Sequence, residues 1–175
     1  MLPAATATKS IFKAAILAAF LCAALPASAH VVASPDTAKS GAWFRTALRV
    51  GHGCNGSDIT AITVNVPDDV LIIKPQVKQG WKISIKKETL ATPVKGPHGM
   101  ISEVTRSITW TGDLPDAYFD EFGLSMKLPD TKGDLIFPVL QQCKKGSIFW
   151  KDAPAKGAHS HKGHHDTPAP VIHLE

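Results

Sequence analysis

Apolar and polar residues alternate along most of this chain, and the period of the alternation is that of β-strands. The clearest run covers residues 101–111. Val104, Ile108 and Trp110 fall on one face of this run, while the other face is mostly serine, threonine and glutamate. A period of two residues is typical of a strand that buries one face. Beyond the first 29 residues, no stretch of about a dozen residues carries the apolar stripe of a helix.

Turn-forming residues separate the apolar runs and set their approximate bounds. Proline, glycine and adjacent aspartates recur between the runs, as at Pro67-Asp68-Asp69, and such residues favour turns. The predicted strands cover residues 43–50, 59–66, 70–73, 81–85, 101–111, 122–128, 135–140 and 147–150, with a loop at 93–99. Short strands at this spacing indicate an all-β fold, an antiparallel β-sandwich of the immunoglobulin-like or cupredoxin-like kind.

The first 29 residues have the features of a secretory signal peptide. Lys9 and Lys13 give a positive start, and residues 14–25 form an apolar stretch that is too short for a comfortable transmembrane helix. Ala27-Ser28-Ala29 then supplies a cleavage site of small residues. We therefore expect export, cleavage after Ala29 and a mature chain that begins with His30.

Removal of this leader changes the charge and the cysteine count. The mature chain keeps 17 lysines and arginines against 15 acidic residues, a balance too small to indicate a nucleic-acid partner. It also keeps two of the three cysteines, Cys54 and Cys143. An even pair in an exported protein predicts a disulfide. The alternative is a redox-active or metal-binding pair, although the spacing is unlike Cys-x-x-Cys.

The composition changes after Asp152, where histidine, proline and glycine become frequent. Little of this segment can contribute to a core. We therefore expect a folded domain over residues 30–152 and a flexible tail over residues 153–175, with residues 170–174 docking back at an edge. Flexible histidines capture Cu(II), Zn(II) or Ni(II) with little geometric selection. The tail is thus either a solubilising linker or a weak metal-capturing segment that uses His159, His161, His164 and His165.

A histidine at the mature N-terminus is an unusual set of metal ligands. The α-amine and the ring Nδ1 of His30 can bind one metal ion together, so that a single residue supplies two nitrogen donors. Both groups lose their protons readily near neutral pH, and Cu(II) prefers nitrogen and oxygen ligands in a tetragonal arrangement. The alternative is a solvated terminal residue that binds nothing. The other common N-terminal copper motif requires histidine at the third position, which is Val32 here.

A series of short motifs runs through the mature chain, starting with His30-Val31-Val32. The others are Ser34-Pro35, Gly53-Cys54, Lys74-Pro75, Gly80-Trp81, Ser102-Glu103-Val104-Thr105, Trp110, Leu114-Pro115, Tyr118-Phe119-Asp120-Glu121-Phe122, Leu128-Pro129, Phe137-Pro138-Val139, Gln142-Cys143 and Trp150. Each motif alone has little specificity, but the order and the number of the motifs together make the match specific. Over about residues 30–151 the series resembles the YcnI-like copper-binding proteins.

The resemblance implies a β-sandwich with a mononuclear Cu(II) site that resembles half of a histidine brace. His30 supplies the amine and the imidazole, a glutamate supplies a carboxylate oxygen, and a tryptophan lies close by. We assign the carboxylate to Glu121 and the aromatic residue to Trp150, with Glu103 and Trp110 as reserve candidates. We expect the remaining tryptophans in the core. These are Trp43 and Trp81, together with Trp110 unless it serves as the reserve candidate.

The resemblance also implies a role, which is to buffer Cu(II) or to deliver it to another copper-trafficking protein in the periplasm. Many relatives carry a C-terminal transmembrane helix, and no such segment follows here, so no stable membrane anchor is expected after signal cleavage. A non-enzymatic protein is favoured because no catalytic triad and no paired acids at a defined spacing are visible. The alternatives are an oxidative copper enzyme, in which His52 or His98 could complete a two-histidine brace, and an interaction sandwich without metal.

Overall fold

Residues 30–153 and 167–175 are described by the computed structural model of the chain. The expected signal peptide and the tail histidines His159, His161, His164 and His165 lie outside these ranges. Within them the strands are β1 (Val32–Ser34), β2 (Thr37–Ala38), β3 (Trp43–Val50), β4 (Ile59–Asn65), β5 (Ile72–Pro75), β6 (Lys82–Gly96), β7 (Gly99–Leu114), β8 (Asp120–Lys127), β9 (Gly133–Ile136), β10 (Val139–Cys143), β11 (Ser147–Trp150) and β12 (Val171–Leu174). No helix in this part of the chain is long and apolar enough to cross a membrane.

Two antiparallel sheets form the body of the domain, which confirms the predicted β-sandwich. One sheet has the order β1-β3-β8-β5 and the other has the order β11-β10-β4-β7-β6. Residues that alternate along the strands turn inward from both sheets, and Phe122 of β8 meets Trp110 of β7 at 5.4 Å between ring centroids. Burial of these apolar faces drives the two sheets together, since each sheet would otherwise expose one face to water.

The register of the first sheet defines two ends of the sandwich. Trp43 lies opposite Lys127 at one end, whereas Val50 lies opposite Asp120 at the other. β1 pairs with the second half of β3, where Val32 lies opposite Arg49. The first strand of the domain is therefore held at the end of the sandwich where β3 finishes and β8 begins.

A third, three-stranded sheet extends the folded unit beyond residue 152. β12 lies between β9, with which it pairs antiparallel, and β2, with which it pairs parallel. Val171, Ile172 and Leu174 are buried. The expectation of a flexible tail over residues 153–175 is therefore wrong for residues 167–175. Residues 171–174 form a central strand of this sheet rather than an edge, because both neighbouring strands offer them hydrogen-bonding partners.

Two further sequence expectations need correction in the strand bounds. The run at 135–140 is two strands, because Ile136 pairs with β12 whereas Val139 pairs with β4 and β11. Between them stands Pro138, which has no N–H to donate to a ladder. The region 93–99 is not a loop, since Gly96 pairs with Gly99 at the tip of a long hairpin formed by β6 and β7.

One tryptophan also departs from expectation. Trp43, expected in the core, is 56% exposed. It starts β3 with its side chain on the outer face, where the ring of His98 from the β6–β7 hairpin stacks on it at 6.4 Å. Trp110 is fully buried and Trp81 is partly buried against Phe122, as expected for core aromatic residues.

The predicted disulfide between Cys54 and Cys143 is confirmed, with a Cα–Cα distance of 6.0 Å. It joins the turn that follows β3 to the end of β10. Gly53 precedes this turn, and a Cβ atom at that position would lie 1.9 Å from the carbonyl oxygen of Ser57. Only glycine therefore allows the backbone of the turn to close at this point.

Removal of the disulfide should lower the stability of the domain without changing its fold. The bond closes a loop of about 90 residues, and the chain-entropy model assigns such a loop about 4–5 kcal/mol. We expect a C54A/C143A double variant to lose a large part of this free energy of unfolding, as measured by urea denaturation of the mature chain. A loss below about 1 kcal/mol would show that the cross-link adds little to the sandwich.

Candidate metal centre

His30 lies two residues before the start of β1 and packs on the indole of Trp150. The ring centroids are 5.7 Å apart and the ring planes make an angle of 69°, an edge-to-face arrangement. The next residue, Val31, is buried in the core and holds the backbone in place. The histidine that starts the expected mature chain is therefore positioned by the sandwich and partly shielded from water.

Trp150 ends β11 and is 5% exposed. Its Nε1–H donates a hydrogen bond of 3.0 Å to Oε1 of Gln141, a buried residue of β10. An indole has only this one polar atom. Because that atom is satisfied within the core, the indole packs against His30 through its ring, and the tryptophan can shield a metal ion but cannot donate this proton to another ligand.

A shallow pocket surrounds His30 on the side of the C-terminal segment. It is lined by His30, Asp36, Pro168, Ala169 and His173, together with their neighbours. The pairing of β12 with β2 creates the pocket, since the N–H of His173 donates to the carbonyl of Asp36 at 2.7 Å. The imidazole Nδ1 of His173 also lies 2.7 Å from a carboxylate oxygen of Asp134.

Asp36 and His173 were not predicted from the sequence as site residues. His173 lies in the short apolar run of β12, where a histidine between Ile172 and Leu174 was the available sequence signal. Asp36 carries no local signal of this kind. Only the non-local pairing of the two chain ends brings these side chains to the pocket of His30.

Glu121 lies on β8, where it is exposed and lines a different pocket with Gln76, Lys78 and Phe119. In the register of the sheet Glu121 lies opposite Arg49, which in turn lies opposite Val32. With strands about 4.8 Å apart, the Cα atom of Glu121 is roughly 10 Å from that of Val32. Glu121 lies in the same row of the first sheet as Val32, but β3 separates the two and the His30 pocket does not include Glu121, so its role as a ligand stays a prediction.

The reserve candidates lie elsewhere. Glu103 is on the β6–β7 hairpin, where its carboxylate forms an ion pair of 2.5 Å with Lys87. Trp110 is enclosed in the core against Phe122. Neither residue is brought to the pocket of His30.

His52 and His98, the two candidates for a second histidine of a brace, lie at different places in the fold. His98 stacks on Trp43 at the start of β3, the end of the sandwich opposite to His30, so it is poorly placed to complete a brace. His52 follows β3, and its Nδ1 lies 2.6 Å from the carbonyl oxygen of Gly53. Its own carbonyl oxygen accepts a hydrogen bond from Gln141.

Among the described residues no three histidine, cysteine, aspartate or glutamate side chains are grouped closely enough to hold a metal ion. A site centred on His30 would therefore need a further donor. The α-amine is such a donor, but it exists only after cleavage, because residue 30 follows Ala29 through a peptide bond in the full chain.

A family model described as a domain of unknown function, DUF1775, matches residues 30–174. The chain belongs to this family. The match includes β12, which agrees with a folded unit that extends past residue 152.

A curated relative and a solved structure illustrate what this DUF1775 chain is similar to. "Copper-binding protein CutI" of Bacillus subtilis is 28% identical over an alignment of 151 residues, and the match covers 83% of this chain and 67% of that protein. The relationship confirms the YcnI-like resemblance drawn from the motifs. A Nocardia farcinica protein with an immunoglobulin-like fold is 24% identical, covers 83% of this chain and 97% of its own, and superposes with a TM-score of 0.61. It confirms the fold class.

In this DUF1775 domain a polar clasp holds the C-terminal segment beside the His30 pocket. A carboxylate oxygen of Asp152 accepts hydrogen bonds from the backbone N–H and the hydroxyl of Thr167, at 3.0 and 2.7 Å. The Asp152 carbonyl accepts from the N–H of Ala169. The bonds from Thr167, the hydroxyl first, lower the pKa of Asp152 below its ordinary value.

The clasp should open in acid. Because the pKa of Asp152 is lowered in the folded state, its ionised form stabilises the clasp above the ordinary pKa of about 3.9, and this contribution is lost as the pH falls through the lowered value. We expect the exchange protection of the Thr167 and Ala169 amides to fall below about pH 4. In a D152N variant their protection should be weaker at neutral pH and lose this acid dependence.

The matched control for this experiment is D69N, which changes an exposed aspartate that lines a different pocket from that of His30. In that variant the protection of the Thr167 and Ala169 amides should equal that of the unmodified chain, both at neutral pH and below about pH 4. Equal protection in D152N and D69N at neutral pH would contradict a role for the Asp152 carboxylate.

Proposed function

We propose that this protein is an exported copper-binding protein, in which the mature N-terminal His30 binds Cu(II) through its amine and its imidazole. The observation that carries the proposal is the fixed position of His30 on Trp150, at the point where the predicted cleavage would expose an amine. Similarity to CutI of Bacillus subtilis, a copper-binding protein by name, supports it.

The chemistry of the donors favours Cu(II) among common metal ions. Two nitrogen donors on one residue bind in fixed relation, and Cu(II) has the highest affinity of the divalent first-row metals for such ligands. Packing of Val31 in the core and of the imidazole on Trp150 reduces the freedom that the ligands lose on binding. A solvated terminal histidine would have neither advantage.

A carboxylate would complete the set and offset the charge of the ion. Glu121 is the candidate from the family resemblance, and it shares the outer face of the first sheet with Val32. Asp36 competes for the role because it lines the same pocket as His30. The two positions are far enough apart in the fold for mutation to distinguish them.

The proposed role is buffering or delivery of Cu(II) in the periplasm, with another copper-trafficking protein as the partner, rather than catalysis. The shallow, open shape of the His30 pocket and the exposure of Asp36 and His173 suit exchange of an ion with a partner. Turnover of oxygen with ascorbate by the copper-loaded protein would favour an oxidative enzyme instead.

The first test blocks the amine. A mature chain acetylated at His30 keeps every side chain but converts the amine of His30 into an amide nitrogen. We expect tight Cu(II) binding to fall by at least about 100-fold, since chelation by one residue is lost. Isothermal titration against the unacetylated chain measures the difference, and equal affinity would contradict the amine ligand.

The second test identifies the carboxylate. E121Q and D36N each remove one negative charge from an exposed side chain, so each serves as the control for the other. If Glu121 is the ligand, we expect E121Q to weaken Cu(II) binding by about 10-fold and to shift the electron paramagnetic resonance spectrum, while D36N leaves both unchanged. The reverse result would assign the ligand to Asp36.

A further inference from the structure

Gln141 is a buried amide next to the candidate metal centre. Its exposed fraction is 1%, and the only other buried polar side chain among residues 30–153 and 167–175 is Thr46. It lies on β10, opposite Ile148 of β11 and Ile62 of β4. A polar group in such surroundings is costly unless it is hydrogen-bonded, and here the amide oxygen and the amide nitrogen each have a partner.

The chemistry of its partners fixes the orientation of the amide. The indole Nε1–H of Trp150 can only donate, so the atom 3.0 Å from it is the amide oxygen. The backbone carbonyl of His52 can only accept, so the atom 2.8 Å from it is the amide nitrogen. A rotation of the amide by 180° would break both hydrogen bonds.

This amide connects the indole of Trp150 to a segment that the disulfide cross-links. The carbonyl that it binds belongs to His52, two residues before Cys54, and Cys54 is bonded to Cys143, two residues after Gln141. A short ring of one disulfide and one hydrogen bond therefore fixes the amide. The other end of the same amide sets how the Trp150 ring lies against His30.

We infer that Gln141 is a positioning residue for the copper site, which acts through Trp150 and does not bind the metal. The inference rests on the proposed function of His30. With the amide in place, the indole has one favoured rotation and presents its ring to the imidazole. Without it, the Nε1–H must find another acceptor, so the ring turns and the surroundings of the metal change.

The test uses the mature chain that begins with His30. Q141M keeps the length of the side chain and removes both hydrogen bonds, whereas Q141E keeps an acceptor for the indole in either protonation state. T63V is the control, because it removes the side-chain hydrogen bond between Thr63 and Thr109 on the same sheet. The readouts are the indole N–H signal of Trp150 in ¹H–¹⁵N spectra, the Kd for Cu(II) and the paramagnetic resonance spectrum.

In the unmodified chain we expect the Trp150 indole proton to be protected from exchange and to be broadened by Cu(II). Q141M should shift this signal, remove its protection and raise the Kd for Cu(II) about three- to ten-fold with an altered resonance spectrum. Q141E should retain the indole signal, and T63V should change none of the three readouts, whatever its effect on Tm.

Several results would overturn the inference. These are an indole proton that exchanges freely in the unmodified chain, a Q141M variant with unchanged Kd and spectrum, or a shifted indole without any change at the metal. Should Q141M fail to fold, two measurements still test the inference. These are the exchange of the Trp150 indole proton in the unmodified chain and the retention of its signal in Q141E. Failure of the unmodified chain to bind Cu(II) would instead remove the proposed function, while the metal-free spectra would still show whether Gln141 orients the indole.

Discussion

The edge-to-face packing of the His30 imidazole on the Trp150 indole is the contact on which the proposed chemistry depends. It joins the first residue of the domain to the last residue of β11 in the other sheet. A chain terminus normally frays, but here Val31 is anchored in the core directly after His30. In the proposed mature chain this anchoring would hold the ligands of His30 in place before a metal ion arrives, which would lower the entropy that binding costs.

That contact in turn depends on how a sandwich treats a polar atom in its interior. The indole of Trp150 brings one N–H into an apolar core, and Gln141 satisfies it while also binding the carbonyl of His52. The disulfide of Cys54 and Cys143 closes the same region covalently. Covalent and hydrogen-bonded constraints therefore meet at the end of the fold where the metal is proposed to bind.

The C-terminal segment has a part in the site as well as in the fold. By pairing with β2 and β9, β12 buries three apolar residues and brings His173 and Pro168 to the pocket of His30. Asp152 and Thr167 hold the two ends of the connection together beside that pocket. The segment expected to be a tail thus forms one wall of the candidate centre.

Local sequence was sufficient to predict much of this protein. The alternation of apolar and polar residues predicted strands at 43–50 and 147–150 with the observed bounds. This signal is local, because a strand that buries one face needs an apolar residue at every second position. The count of cysteines after the predicted cleavage gave the disulfide, and the cleavage pattern pointed to His30. What the sequence could not determine were the pairings between distant residues. The division of the run at 135–140, the insertion of β12, and the approach of Asp36 and His173 to His30 were decided by the tertiary structure, because a strand finds its partners through the whole sheet and not through its own pattern.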